Sequence, residues 1–317
     1  MSASTGGSVR SAAPVHATGP GGSIYDLGYQ GYEGPRLGRQ AAIRALFWHT
    51  VRSCYGIGRG GRAKIAPIAL AGLAVLPAVV GVGIAALAAQ AGEAGEFIEE
   101  SSPIRYASYH GMISTLVILF CAIQGPELLG RDQRYRVLPV YFSRARARVD
   151  YAVAKILGLV ASLLVLVLLP YAVLFFGRVL VAPDPVSGLT SEVPSLLPLL
   201  AQALLTSGLL GTLAMAISAY TPRRAYATAG IIAAVLIPSI VVALVSELMR
   251  GDIADWIVLL SPSDVLDGTN STLFNSRPDS GAVAQASLDG IAYVAAAMVG
   301  TAVAVGLTIR RYQKIAA

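Results

Sequence analysis

The residues of this chain best equipped for binding or chemistry crowd into one stretch, Glu127 to Lys155, which reads ELLGRDQRYRVLPVYFSRARARVDYAVAK. It sets Glu127 and Asp132 among seven Lys/Arg residues between Arg131 and Lys155 and interleaves them with tyrosine, phenylalanine and leucine. Arginines beside aromatic anchors have the composition of a protein docking surface: Tyr135, Leu138, Tyr141 and Phe142 could fill a pocket while Arg134, Arg136 and Arg144 pair with an acidic rim. Glu127, Arg131 and Asp132 stand at the end of an apolar run. A carboxylate there needs a partner, so an internal ion-pair network is as good a reading of these three as docking. The plainer alternative for the whole stretch is that its basic residues hold membrane topology and bind anionic lipid headgroups.

Other chemistries find little support in the residues. No GxxxxGK[ST] phosphate loop occurs, and the glycine clusters GIGRGGR and GPGG lack the spacing and the strand-to-helix setting that cradle a phosphate. No HExxH, CxxC or histidine cluster exists, and His16, His49 and His110 lie far apart, so no metal site is expected. Cys54 and Cys121 read as packing residues. Glu99 and Glu100 precede Arg105 by a spacing close to that of CAAX-type intramembrane proteases. Four intervening residues stand where three are needed, Pro103 interrupts the helix, and the paired histidines are missing. The chain is therefore not expected to be an enzyme, to bind a cofactor itself or to bind nucleic acid.

The elements that must position the loop are membrane helices. Hydrophobic residues make up 55% of the chain and charged ones only 13%, with a mean hydropathy of +0.64. About 20 apolar residues are needed to cross hydrocarbon, and six runs qualify: 65–91, 110–129, 156–181, 196–219, 225–249 and 284–309. The expected fold class is an all-α polytopic membrane protein with its transmembrane domain over 65–317. Prolines 77, 170 and 238 read as packing kinks, and Pro126 leaves the end of the second span open between Gln124 and Gly130. Ionisable residues are scarce within the runs, since Glu127, Glu247 and Asp289 sit near ends. An ion-coupled transporter would place them nearer mid-membrane.

Charge sets the expected orientation. With both termini on one side, 20 of the 24 Lys/Arg residues fall on that side and four on the other, which the positive-inside rule makes cytoplasmic and outer respectively. The outer segments are instead acidic, with Glu93, Glu96, Glu99, Glu100, Asp184, Glu192, Asp252, Asp255, Asp264, Asp267 and Asp279. The lysine-poor, Ala- and Gly-rich composition suits a GC-rich bacterial genome, so the expected location is a bacterial plasma (inner) membrane.

Residues 1–24 have no apolar core of a signal peptide and read as a disordered cytoplasmic tail. Residues 25–64 form a second region, helix-compatible until about Gly58, in which Leu37, Ala41, Trp48, Val51 and Tyr55 share a face bordered by Arg44 and Arg52. A helix lying at the membrane surface is the preferred expectation, with Trp48 near the headgroups and Arg44 and Arg52 toward anionic lipid. The alternative is a small helix packed on the other cytoplasmic loops.

The stretch Glu127–Lys155 resembles the first cytoplasmic loop of ABC-2 type permeases, the membrane subunits of a class of ABC exporters. The resemblance rests on Glu127, Arg131, Asp132, Leu138, Pro139, Ser143, Arg144, Arg148, Asp150, Tyr151 and Lys155. Ala145 and Ala147 depart from the pattern, where Pro and Ser are common. The six-span layout and the segment LLSPSDVLDG, similar to an outward-facing helical hairpin between spans five and six, extend the resemblance to about residues 36–314. It implies a coupling helix between spans two and three, over Arg134 to Arg144, that inserts into an ATP-binding subunit. It further implies two such subunits carrying ATP and Mg2+, and a second permease, identical or paralogous. The permease contact would involve spans one, two and five, with Gly81, Gly83, Ala85 and Ala86 allowing close approach.

Two functions therefore stay open: the permease of an exporter for a hydrophobic or amphipathic cargo such as a drug or lipid, and a non-transporting assembly or sensory subunit that recruits a cytoplasmic protein through the same loop. The sequon Asn270-Ser271-Thr272 reads as accidental in a bacterial protein, although its expected exposed-loop setting would be compatible with glycosylation elsewhere.

Overall fold

The computed structural model describes residues 34, 38–92, 94, 95, 97, 98, 102–135, 148–249 and 251–314. Met1–Arg36 is a unit of its own in which only Gly34 is described, so the expected tail over 1–24 lies outside the described residues. The segment 136–147, which holds most of the expected coupling helix together with Ala145 and Ala147, lies outside them too, as do Glu99 and Glu100.

Among the described residues there are helices and no strand. They are α1 (Gly38–Cys54), α2 (Arg62–Gln90), α3 (Tyr106–Arg134), α4 (Arg148–Val181), α5 (Pro185–Tyr220), α6 (Arg224–Leu248), α7 (Asp252–Ile257), α8 (Pro262–Phe274), α9 (Gly281–Gln285) and α10 (Gly290–Lys314). Six of them, α2 to α6 and α10, are long and apolar enough to cross a membrane. They divide into two kinds. In the most apolar part of α3, α4 and α5 half or more of the residues are buried against other helices, whereas in α2, α6 and α10 fewer than a fifth are. The centre is therefore α4 packed on α5, with α3 across both, α2 against α4, α6 against α3, and α10 against α5. Tyr109, Phe120, Leu159, Leu163, Leu166 and Met215 are sealed inside it.

Helix ends differ from the apolar runs because capping and polar contacts, which hydropathy does not register, set them. Helix α3 runs straight through Pro126 to Arg134, since the helix before a proline continues where its freed carbonyl finds other partners. Helix α5 starts at Pro185, well ahead of 196. Asp184 caps it by accepting from the Ser187 amide at 3.1 Å, and Pro185 at the first position needs no hydrogen bond. Glu192, read as an outer-loop residue, sits on this helix. It accepts from the Tyr106 hydroxyl at 2.7 Å, with Arg178 Nε 3.7 Å away. The last long helix begins at Gly290, not 284: Ala286 is extended, Asp289 precedes the helix, and α10 continues to Lys314.

Two further expectations are corrected, those for Gly81 and for the Asn270 sequon. Helix α1 packs on the bundle with a different face from the one that holds Trp48. Leu46, Thr50, Ser53 and Cys54 are its buried residues, because they meet a groove on α4 at Gly158, where an added Cβ would stand 2.5 Å from Thr50 Cγ2. Trp48, Arg44 and Arg52 are left exposed. Burial pushes the Cys54 thiol up to about 11, as suits an inert packing residue. Gly81, expected in a contact between permeases, faces inward, with Leu174 and Ile104 filling the space its side chain would need; Gly83 is open. Finally, Asn270 is buried on α8 and donates to the Ala107 carbonyl at 2.6 Å, so the sequon is not in an exposed loop.

Helix α8 is seated among α3, α5, α6 and α10, where Gln202 of α5 donates to the Leu266 carbonyl at 3.0 Å and accepts from Thr269 at 2.9 Å. The α1–α4 contact gives a direct test of the close approach at Gly158. Gly158→Val should cost about 1–3 kcal/mol through overpacking and expose α1 to proteolysis in detergent while the rest of the chain stays protected. Unchanged cleavage of α1 would show that the contact does not hold it.

Candidate functional site

The charged cluster begins with a turn. After α1 the chain reverses through 55–61, where Gly56 takes a positive φ of 67° and a Cβ would fall 2.7 Å from the Ala63 carbonyl oxygen. This tight reversal sets Arg59 beside the end of α3. There its Nη1 stands 3.1 Å from Glu127 Oε1, Arg131 Nη1 lies 3.4 Å from the same oxygen, and Arg224 Nη1 of α6 lies 3.5 Å from Oε2. One carboxylate thus meets three guanidiniums from three elements. Arg131 and Arg224 are about half exposed, so each contributes little by itself. Glu127 is shielded, which makes it the hub.

One turn further along α3, Asp132 makes the tighter pair. Lys155 Nζ of α4 stands 2.8 Å from Asp132 Oδ2 with its side chain only 4% exposed, and it also donates to the Leu128 carbonyl at 3.2 Å. The Tyr151 hydroxyl donates to the same Asp132 oxygen at 2.6 Å. Around this pair the first turns of α4 are held from two more sides. Arg39 of α1 grips Asp150 with a bidentate pair at 2.6 Å each, and Arg148 donates to the Gln313 carbonyl of α10 at 3.0 Å. The Tyr151 and Tyr312 rings pack 5.2 Å apart, and the last turn of α3 reaches Tyr312 through Gln133 at 3.2 Å.

The cluster opens into a cavity of about 490 Å³ lined by His49, Arg52, Arg59, Arg131, Glu127 and Lys155, among others. Partial burial, followed by the neighbouring Lys155 ammonium, lowers the His49 imidazole below its ordinary value, so at neutral pH it adds no charge there.

The structure brings Glu127, Arg131 and Asp132 together at the end of α3, but as two hubs: Glu127 with Arg59, Arg131 and Arg224, and Asp132 with Lys155. Arg134 and Tyr135 extend from the last turn, exposed, into the start of 136–147. Arg136, Leu138, Tyr141, Phe142 and Arg144 lie outside the described residues. Arg52 lines the cavity, and Arg44 and Trp48 are not among its lining residues. Sequence reasoning missed Arg59, Arg224 and Arg39 as partners. Each sits in a short basic segment that the topology count absorbed, and only the fold shows that three such segments converge. No family model matches the chain, and a search of curated proteins finds no match.

The burial difference decides which pair matters for stability. Lys155→Met leaves a shielded Asp132 without its ammonium and should cost about 3–5 kcal/mol, whereas Arg131→Ala should cost under about 1 kcal/mol. Unfolding in mixed micelles compares the two, and equal losses would contradict the assignment of Asp132–Lys155 as the dominant pair.

Proposed function

We propose that this chain is the membrane-embedded permease subunit of an ATP-driven exporter of the ABC-2 type, moving a hydrophobic or amphipathic cargo with energy from a separate ATP-binding subunit. The observation that carries the reading is the way both ends of 136–147 are anchored. Asp132 and Gln133 on one side and Arg148, Asp150, Tyr151 and Lys155 on the other tie this basic, aromatic segment to α1, α3, α4 and α10. A soluble ATPase can move a bilayer protein only through rigid contact. Because the residues on either side of it are bonded to four helices, a displacement delivered there would be shared among all of them.

In this reading the basic end of the bundle faces the cytoplasm and the chain lies in a bacterial plasma membrane, with both termini inside. Two ATP-binding subunits bind ATP and Mg2+, and each presses on a segment centred on Arg134, Tyr135, Arg136, Leu138, Tyr141, Phe142 and Arg144. Exposed Trp48, flanked by Arg44 and Arg52, lies against the headgroups, and the glutamate hub holds the turn of Arg59 to α3 and α6 as they move. The bare apolar faces of α2, α6 and α10 contact lipid and the second permease, identical or paralogous. Small, open Gly83 and its half-buried neighbours Ala85 and Ala86 remain available for that contact.

Replacing Tyr141, Phe142 and Arg144 together by Ala should abolish co-purification of an ATPase while leaving the thermal midpoint within a few degrees of wild type. An intact complex would remove the docking assignment. In liposomes the whole complex should hydrolyse ATP faster in the presence of its cargo. A recruited partner without cargo-stimulated turnover would favour an assembly or sensory subunit.

A further inference from the structure

At the end of the bundle opposite Glu127 a second cavity, of about 300 Å³, lies between α3, α5, α6, α8 and the segment after α8. One wall is apolar, with Ile118, Leu210, Val235 and Leu266. The other carries His110, Asp264, Asp267 and Asp279 and, among the described residues, no lysine or arginine. Topology accounts for acidic residues at this end but not for carboxylates turned inward.

Most of their bonding capacity is committed, which leaves specific atoms free. Asp267 accepts from the Asp279 and Ser280 amides at 3.1 and 2.8 Å, and so folds the 275–280 segment back over α8. Asp264 Oδ1 accepts from the Ser280 hydroxyl at 2.6 Å. Asp264 is the third residue after the cap Ser261, where a carboxylate commonly reaches back to the cap amide. Here that amide goes instead to the Val258 carbonyl, and Asp264 Oδ2 is buried with no hydrogen-bond partner. His110, only 5% exposed, lines the same cavity. Asp264, more than nine-tenths buried, thus presents an unmet hydrogen-bonding atom at this space, and the His110 imidazole, as deeply buried, shares its wall. Asp279 stands exposed at its mouth, against Gly111, where any side chain would collide with its carboxylate.

We propose that this cavity binds the protonated amine of a cationic amphiphile, with the ammonium on Asp264 and His110 and the apolar body along Ile118, Leu210 and Val235. A single positive charge answers the carboxylate excess, and N–H donors answer the free Asp264 oxygen. Among the described residues the acidic and imidazole groups are not arranged as metal ligands. The volume is at the lower limit of ligand sites, so it takes a headgroup or a small arylalkylamine rather than a bulky drug. As the cargo class of the exporter this inference rests on the function proposed above; as a binding site it stands alone.

The test is calorimetric titration of the full-length protein, in nonionic detergent and without any ATPase, with phenethylamine and with its neutral isostere 2-phenylethanol. The amine should bind saturably and at least tenfold more tightly than the alcohol. Asp264→Asn should erase that preference, and Asp279→Asn, at the exposed mouth, should reduce it two- to threefold. Equal binding of amine and alcohol by the wild type overturns the proposal, as does a folded Asp264→Asn protein that keeps the preference. Should Asp264→Asn fail to fold, a preference unaltered in Asp279→Asn overturns it as well. Absence of amine binding with ATPase docking intact removes the cargo class and leaves the exporter reading, whereas amine binding without docking does the reverse.

Discussion

The contact on which most of the charged end depends is the ion pair between Lys155 and Asp132. An ammonium that is almost sealed from solvent costs several kcal/mol unless a carboxylate and further hydrogen bonds replace its water, and Asp132 with the Leu128 carbonyl supplies both. The pair therefore fixes α3 and α4 in register at the two points between which the chain runs through 136–147. Tyr151 adds a hydroxyl to the same carboxylate, and its ring meets Tyr312, so the final turns of α10 are drawn into the same arrangement. Arg39–Asp150 then adds α1 to a frame already set. Loss of the central pair would loosen α3 against α4, whereas any one of the half-exposed arginines around Glu127 is dispensable.

The bundle above this frame is uneven. Packing strength is concentrated in α3, α4 and α5, which bury large side chains against one another, and α2, α6 and α10 lean on that core through narrow strips. Where a peripheral helix comes close it does so over a missing side chain: Gly81 of α2 under Leu174, Gly158 of α4 under Thr50, and Gly268 of α8 under the Tyr293 ring. Such contacts are short-range and shape-dependent, and they hold without large buried area. Relative movement of core and periphery is therefore governed by a few positions rather than by a broad sliding surface.

Much of this was legible in the residues and some was not. The number and order of long helices follow from apolar runs, because an uninterrupted run of that length has few other places to go. Their ends do not, since Asp184 caps through a bond that carries no hydropathy signal, and Pro126 passes unnoticed within a continuous helix. Glu127 and Asp132 announced their need for partners, but Arg59, Arg224 and Lys155 lie far off along the chain, and only the three-dimensional arrangement selects them from the other basic residues. Helix α8 was the largest surprise. Its polar residues suggested an exposed segment, yet Asp264, Asp267, Thr269 and Asn270 are buried because Gln202, Ala107 and the chain at 279–280 satisfy most of their hydrogen bonds. The inward turn of Gly81 was equally hidden, since a small residue looks the same whichever way it faces.

The seat of α8 has a bearing on how the protein is made. The site is walled by α3, α5 and α6, which precede it in the chain, and by α10, which follows it; Tyr293 lies over Gly268, and Thr272 fits against Gly290. Its polar groups find their partners on α3, α5 and residues 279–280, all of which are present once α9 has been made, so α8 can be seated without carrying unmet groups such as the Asn270 amide nitrogen into hydrocarbon. What α10 adds afterwards is packing, with Tyr293 over Gly268 and Gly290 against Thr272, closing the bundle over a helix already bonded in place.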